Sequence, residues 1–404
     1  MSMRDIVIGA GPSGIMAALA LKEIGDDVMI LEANEKICKK LYITGKGRCN
    51  VTNNTDREGI IKNIVTNPKF LYSSISYFSP QDTISFFEDK GVSLKTERGN
   101  RVFPVSDKSS DIIKVFDKVL KQQNIKVVLN SKVTYVKLLN DNRFEVATDN
   151  DKYTCDKLII ATGGKSYPGT GSKGDGYKFA SMLGHNIVQP RPALVPIRLK
   201  NYDNSISGLS LKNVACKFVY DNKTYEEFGE MLFTHNGLSG PIVLSLSSRI
   251  NKLDIENKKI YIDLKPALTV EQVENRLLRD FDNYKNKDIK NYLPELMPKS
   301  LIETFLKQLS FNNKKVNEIT KENRQEMVTK LKALEFTIDK LEDISVGIVT
   351  AGGVDVSQIN NKNMESKLVS NLYFVGEVLD VDALTGGFNI QIAMSTGYSV
   401  GKLY

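Results

Sequence analysis

The sequence predicts an α/β fold: a dinucleotide-binding domain on a parallel sheet, interrupted by a β-rich insert that carries helices. Three observations predict it. Asp5 to Gly14 (DIVIGAGPSG) couples an unbroken apolar run to G-x-G-x-x-G. In mid-chain, the apolar run Leu158 to Ile160 enters Ala161-Thr162-Gly163-Gly164. Near the end, Leu372 to Val375 enters Gly376-Glu377 and then a terminal helix. Between the second and third, Pro190-Arg-Pro192 marks a change to short β segments, followed by helices and a return to strand. The expected domains are 1–190 with 343–404 for dinucleotide binding, 191–268 with 335–342 for the β insert, and 269–334 for the helices.

The first signature is the most informative. Ile6, Val7 and Ile8 form a continuous apolar run, as in a strand covered on both faces. Gly9 permits the tight turn, Gly11 lets backbone approach a pyrophosphate, and Gly14 lets helix pack on strand. Ala10, Pro12 and Ser13 complete the turn, and Ile15 to Leu21 continues as helix, its positive end toward the phosphates. A second strand, Val28 to Leu31, ends in Glu32, placed where a ribose-binding carboxylate belongs.

Next comes a basic, glycine-rich loop from Glu35 to Asn54, with Lys36, Lys39, Lys40, Lys46 and Arg48. Such a loop can wrap a pyrophosphate or hold anionic charge on a reduced flavin; the alternative is a solvated basic loop. Ile84 and Phe87 mark a helix opened at Pro80 or Asp82. Ser110 or Asp111 is expected to cap another, with Ile112, Val115, Phe116, Val119 and Leu120 on one face. Lys126 to Leu129, Val133 to Leu138 and Arg143 to Thr148 read as strands, the last two a hairpin around Asn140-Asp-Asn142. A second G-x-G-x-x-G at Gly169, Gly171 and Gly174 is not read as a nucleotide site, because no βαβ unit surrounds it.

In the insert, Leu194 to Leu199, Val214 to Tyr220 and Lys259 to Leu264 suggest an antiparallel sheet or small barrel. Thr269 is expected to cap a helix carrying Val273, Leu277 and Phe281. Leu301 to Leu309 and Met327 to Leu334 make two more. Near the C-terminus, Gly386 and Gly387 open a helix whose N–H groups suit an electron-rich acceptor such as a flavin pyrimidine.

Composition narrows the function classes. The 404 residues carry a net charge of +7, which hints at anionic ligands. Residues 269–340 hold 14 Lys and Arg against 12 Asp and Glu, which argues against a nucleic-acid face there. The four cysteines form no C-x-x-C pair, so neither a zinc site nor a dithiol motif is suggested. No apolar run reaches 18 residues and the N-terminus enters the first strand directly, so a cytoplasmic protein without a membrane partner is expected.

Finer motifs add a resemblance. They are Thr44-Gly-Lys-Gly-Arg-Cys-Asn50, Ser166-Tyr-Pro168 with Gly174-Asp-Gly176, Gly229 to Pro241, Thr350 to Val354, and Gly376 to Asp380 with Gly386 to Gln391. Together they resemble a bacterial family of NAD(P)/FAD-dependent oxidoreductases of the two-dinucleotide-binding-domain type, which includes aminoacetone oxidase-like and bile-acid-reductase-like proteins. The resemblance implies a Rossmann-like FAD-binding domain of the glutathione-reductase type, with an inserted antiparallel β domain carrying a small helical bundle. It would place Gly9 to Gly14 on the pyrophosphate, Glu32 on the ribose and Val133 near adenine. Lys40, Gly45, Arg48, Cys49 and Asn50 would lie along the flavin, with Ala161, Thr162, Gly163, Gly376, Glu377, Gly387, Asn389 and Ile390 completing the site.

The expected chemistry is hydride transfer at flavin N5 with a small-molecule substrate: an amine, a ketone or a conjugated enone. NAD(P)H, if used, would bind transiently, since there is no second Rossmann unit. Arg48 is the candidate for stabilising anionic flavin or a substrate carbonyl. His235 is the candidate proton donor, set against a structural hydrogen-bonded role, and Tyr167 is a further candidate. Cys49 sits beside Arg48, which could depress its pKa; the alternative is packing. The rival functions are a flavoprotein of tRNA modification and a non-enzymatic redox sensor.

Overall fold

A computed structural model describes residues 5–402. It divides into two compact units, Met1–Ala193 with Ile344–Tyr404, and Leu194–Asp343.

The first unit is built on a five-stranded parallel sheet. Its order is Leu372–Phe374, Lys157–Ile160, Asp5–Ile8, Val28–Leu31, Lys126–Val128. Ile6, Val7, Ile30, Leu31, Ile159 and Ile160 have no more than traces of exposure. Burying each such side chain contributes roughly 1.5–3 kcal/mol, which explains why the central strands are uninterrupted apolar runs rather than alternating ones. The chain proceeds outward from Asp5–Ile8 through Val28–Leu31, then returns to the other side with Lys157–Ile160. This reversal creates a switch point at the carboxyl ends of two neighbouring strands, where α/β folds bind ligands.

Two helices lie together beside that point. The helix Pro12–Glu23 starts at the Gly9 turn, and the terminal helix Phe388–Ser399 packs on it. A methyl on Gly397 would come within 2.2 Å of the Ser13 carbonyl oxygen, so only glycine permits this approach. Smaller elements surround the sheet. A three-stranded antiparallel sheet spans Val133–Leu138, Phe144–Thr148 and Lys152–Cys155. The hairpin Leu94–Glu97 with Arg101–Pro104 pairs with Thr52–Asn53.

The second unit is a closed six-stranded barrel with helices against it. Its strands follow the order Ile197–Leu199, Gly237–Ser239, Lys223–Thr234, Ser210–Tyr220, Lys259–Asp263, Leu334–Leu341. Thr269 caps the helix Val270–Asn283 through a capping box with Gln272. Barrel residues such as Phe218 and Ile260 share one apolar core with helical residues such as Leu277, Tyr292 and Phe305. Among the described residues no helix is long and apolar enough to cross a membrane.

Some expected boundaries move. The helix anticipated from Ser110 or Asp111 begins at Ser109, so both lie inside its first turn. Leu301 to Leu309 forms only a short helix, Ile302–Leu306, and Leu334 starts a strand rather than ending a helix. Ser79, not Pro80 or Asp82, caps Pro80–Glu88; its hydroxyl accepts from the Asp82 N–H, and Asp82 answers by accepting from the Ser79 N–H.

Candidate dinucleotide site

The cleft of the first unit lies where the strand ends converge. Gly9, Gly11, Pro12 and Ser13 line it from the first strand and helix, Glu32 and Asn34 from the second strand, and Ala161, Thr162 and Gly163 from the fourth. Lys40, Ser131, Val133, Glu377 and Ala393 complete the wall. Sequence candidates from six separate segments thus share one cavity, whereas Gly45, Arg48, Cys49, Asn50, Gly376, Gly387, Asn389 and Ile390 are not among its lining residues.

Each glycine of the fingerprint has a distinct role. Gly9 has φ of 108°, and a methyl there would come within 2.6 Å of the Ala161 carbonyl oxygen. At Gly14 a methyl would meet the Gly9 carbonyl oxygen at 2.0 Å. At Gly11 it would meet nothing within 4 Å, because that position faces the open cleft. The helix behind has Pro at its start and no acidic residue in its first turn, so its positive end is not neutralised from within.

Glu32 sits where the spacing placed it. One carboxylate oxygen accepts from the Ala10 N–H at 2.7 Å; the other accepts from the Asn34 N–H at 2.9 Å and from its side-chain amide at 2.6 Å. The carboxylate is therefore held in a fixed orientation at the cleft wall, as a group accepting ribose hydroxyls requires. Asn34 also donates to the Thr170 carbonyl at 3.2 Å, which ties the 164–176 loop to this wall.

Also in the cleft lining, Glu377 joins four segments. It pairs with Lys40 at 2.7 Å and accepts from the Ser166 hydroxyl at 3.0 Å and the Thr350 N–H at 2.8 Å. Lys40 also donates to Ser166 at 2.6 Å. Gly376, with φ of 75°, turns the chain toward Glu377; a methyl there would strike the Ser13 hydroxyl at 2.5 Å.

The terminal helix opens at Gly387, whose φ is 96° and whose Cβ position lies 2.3 Å from the Thr52 carbonyl oxygen. Ala393 of this helix lines the cleft, and Gly387 lies six residues, about 9 Å, further along the axis. The Asn50 side-chain oxygen is buried beside Gly387 and has no hydrogen-bond partner among the described residues. The same holds for the Thr162 hydroxyl in the cleft wall. An unsatisfied Thr162 hydroxyl in the wall, a cradle open only at Gly11, and the N-terminus of the helix Pro12–Glu23 on the same cleft fit an extended dinucleotide such as FAD.

Several candidates have different surroundings from those expected. Arg48 is not a free cation: it ion-pairs with Glu97 and, at 2.7 Å, with Asp107, and its guanidinium lies 4.1 Å from the Phe103 ring centroid. Those carboxylates raise its pKa further, while Arg48 holds Glu97 below the usual carboxylate range. Its guanidinium is thus held in a surface cluster with two carboxylates rather than standing as an unpaired cation. Cys49 is fully buried, and burial pushes its thiol up to about 12 rather than Arg48 pulling it down. The Asn389 amide is spent on its own turn, accepting from the Ala383 N–H at 2.9 Å and donating to the Ala383 carbonyl at 2.8 Å. Ile390 packs against the apolar core. Gly45 has φ of 58° and abuts Phe103.

Tyr167 is half-buried with φ of 51°, a conformation a bulky residue rarely adopts, and its N–H donates to the Ser345 carbonyl at 3.2 Å. His235 belongs to the second unit, exposed in the turn between Lys223–Thr234 and Gly237–Ser239, with its Nδ1 3.4 Å from the Asn204 amide. Sequence reasoning missed Asn34, Ser131 and Asn53. Only Asn34 left a trace, as a polar side chain two residues beyond the strand-end acid.

Comparison with known proteins agrees with this geometry. The family described as HI0933-like protein Rossmann domain matches residues 3–403. The chain is 31% identical to a ribosomal RNA dihydrouridine synthase of Haemophilus influenzae, over 98% of this chain and 96% of the relative. It is 30% identical to a 3-dehydro-bile acid delta(4,6)-reductase of Clostridium scindens, over 98% and 97%. Among solved structures, the open conformation of a flavocytochrome c3 fumarate reductase shares the fold, with a TM-score of 0.52, 16% identity, and coverage of 99% of this chain and 77% of that one. The chain therefore belongs to the HI0933-like family of Rossmann-domain proteins.

Proposed function

We propose that the protein is an FAD-dependent oxidoreductase that saturates a carbon–carbon double bond conjugated to a carbonyl. The observation that carries this reading is the single cleft in which the Gly9–Gly14 turn, Glu32, Ala161–Gly163 and Glu377 meet. Its substrate class is supported by the relatives' names. A dihydrouridine synthase and a delta(4,6)-reductase both saturate a ring C=C in conjugation with a carbonyl, although uridine and a bile acid otherwise share little.

FAD, when bound, supplies hydride chemistry at N5, with NADH or NADPH as the transient electron source. The chain's own residues do the rest. Gly9–Gly14 holds the pyrophosphate at the helix N-terminus, and Glu32 accepts the adenosine ribose hydroxyls. Glu377, already fixed by Lys40, Ser166 and Thr350, would be one of the groups holding the cofactor. The Gly387 helix start would offer its positive end to negative charge on the flavin. Tyr167 holds a proton at its phenol oxygen for the carbon beside the substrate carbonyl; its strained backbone fits a residue held for function. His235 is the second proton-donor candidate.

The test is anaerobic. The FAD-loaded protein is bleached with NADH or NADPH and mixed separately with an α,β-unsaturated ketone, a uracil-containing RNA and an amine. Return of the yellow colour with a saturated product from either of the first two supports the reading. Flavin that is reduced by the amine and never reoxidised by a conjugated carbonyl overturns it. Tyr167→Phe and His235→Asn assign the proton donor: the correct one slows product formation by about 10²-fold or more while leaving FAD affinity unchanged.

A further inference from the structure

Two lysines meet at the turn that follows the barrel strand Lys259–Asp263, and their ammonium groups have unlike surroundings. Lys332, the last residue of the helix Lys321–Lys332, is saturated. It pairs with the buried Asp263 carboxylate at 2.7 Å and donates to the Lys265 and Leu268 carbonyls at 2.9 and 2.7 Å. Lys265 is half-buried, and its ammonium forms no hydrogen bond or ion pair among the described residues. The carboxylate nearest in chain is already taken. Asp263 accepts from the Lys265 N–H at 2.9 Å, pairs with Lys332 and has Lys217 at 3.9 Å.

Apolar surface and positive charge surround Lys265 instead. It lines a cavity of about 300 Å³ in the second unit, with the buried Leu211, Val214, Leu264 and Leu296 in the wall. Lys212 stands exposed at the same cavity, also without an ion pair among the described residues. Arg276 adds a further cation, anchored to the Glu295 carbonyl at 3.0 Å and to Asp280 at 3.4 Å. The exposed Glu295 carboxylate pairs with none of these cations among the described residues. Burial first, and then the Arg276 charge, hold the Lys265 amine below the usual lysine range. A lysine set among apolar side chains and beside another cation is a nucleophile in waiting, because more of it is neutral amine. Turning that amine into an amide removes a positive charge the site leaves unpaired and sets apolar atoms against apolar walls.

We propose that Lys265 is an acylation site, whose Nζ takes a short acyl group from an acyl phosphate or an acyl thioester entering the cavity walled by Leu211, Val214, Leu264 and Leu296. The Nζ lone pair forms the new C–N bond to the acyl carbon. The C–O bond to phosphate, or the C–S bond to the thiol, breaks, and the leaving group departs with that electron pair. Of the two protons the ammonium gives up, one goes to the leaving group and one to water. Nothing is oxidised or reduced. The site lies within the second unit, so it stands or falls apart from the dinucleotide cleft and the reductase reading.

The test incubates the FAD-loaded full chain with acetyl phosphate and, separately, with an uncharged acetyl thioester. Peptide mass spectrometry after cleavage by a glutamate-specific protease follows each lysine over time. Near neutral pH, Lys265 is expected to acylate about fivefold or more faster than Lys252 and Lys258, exposed lysines of the same unit. As pH is raised, its rate should level off before theirs, because its amine finishes losing its proton first. Faster reaction with one donor alone supports the proposal and names the source of the acyl group. Reaction at Lys265 no faster than at Lys252 and Lys258 with both donors overturns it. So does a rate at Lys265 that climbs with pH as far as theirs.

Discussion

The chain contains the pattern G-x-G-x-x-G twice, at 9–14 and at 169–174, and the two copies fold differently. The first links a buried parallel strand to a 12-residue helix, and its outer glycines are packed against backbone. The second follows a loop, passes through a short 3-10 turn at Pro168–Thr170, and caps the helix Asp175–Met182 with Gly174 in the left-handed region. Gly171 reaches the same cleft as the first copy, but as a wall beside Asn34 rather than as a cradle. The glycines alone do not make a phosphate site. What makes one is the strand before them, the helix after them and the neighbouring strand end against which they press.

Substitutions by alanine sharpen this contrast. Gly14→Ala carries the largest expected effect: its methyl would lie 2.0 Å from a carbonyl oxygen in a packed core, so destabilisation of about 3 kcal/mol is expected, read as a lowered thermal midpoint. Gly11→Ala should separate binding from folding. Its methyl touches no protein atom, so stability should stay within about 0.5 kcal/mol while FAD affinity falls about 100-fold, roughly 2.7 kcal/mol, as the methyl occupies the pyrophosphate position. In the second copy, Gly171→Ala combines a φ of 104° with a methyl 2.4 Å from the Asn34 amide nitrogen. About 1–3 kcal/mol of strain is expected, read as a lowered thermal midpoint, with a several-fold loss of FAD affinity in calorimetric titration because Asn34 orients Glu32. Gly169→Ala, with open space around it and an ordinary φ, should alter neither quantity. Equal effects at Gly11 and Gly169 would erase the distinction between the copies.

Local pattern carried much of the site. The apolar runs at 6–8, 28–31, 158–160 and 372–375 identified the sheet, because strands buried on both faces leave no room for polar residues. Glu32 and Gly376 were legible for the same reason: a strand end followed by an acid or a glycine has few structural meanings. Charge pairing was not legible. Arg48 meets Glu97 and Asp107 across 49 and 59 residues of chain, and nothing in its glycine-rich surroundings signals that its charge is already neutralised. The Asn389 amide was equally opaque, since an asparagine that braces its own turn reads in sequence like one that reaches a ligand. Asn53, which joins the hairpin tip to the Gly386 turn, depends on three segments meeting in space.

The most direct measurement is a calorimetric titration of the folded protein with FAD, run in parallel on the wild type and on Gly11→Ala. The account expects saturable one-to-one binding by the wild type and about 100-fold weaker binding by the variant at an unchanged melting temperature. A correctly folded wild type that takes up no FAD, or a variant that binds it equally well, would contradict the placement of the dinucleotide in the Gly9–Gly14 cradle.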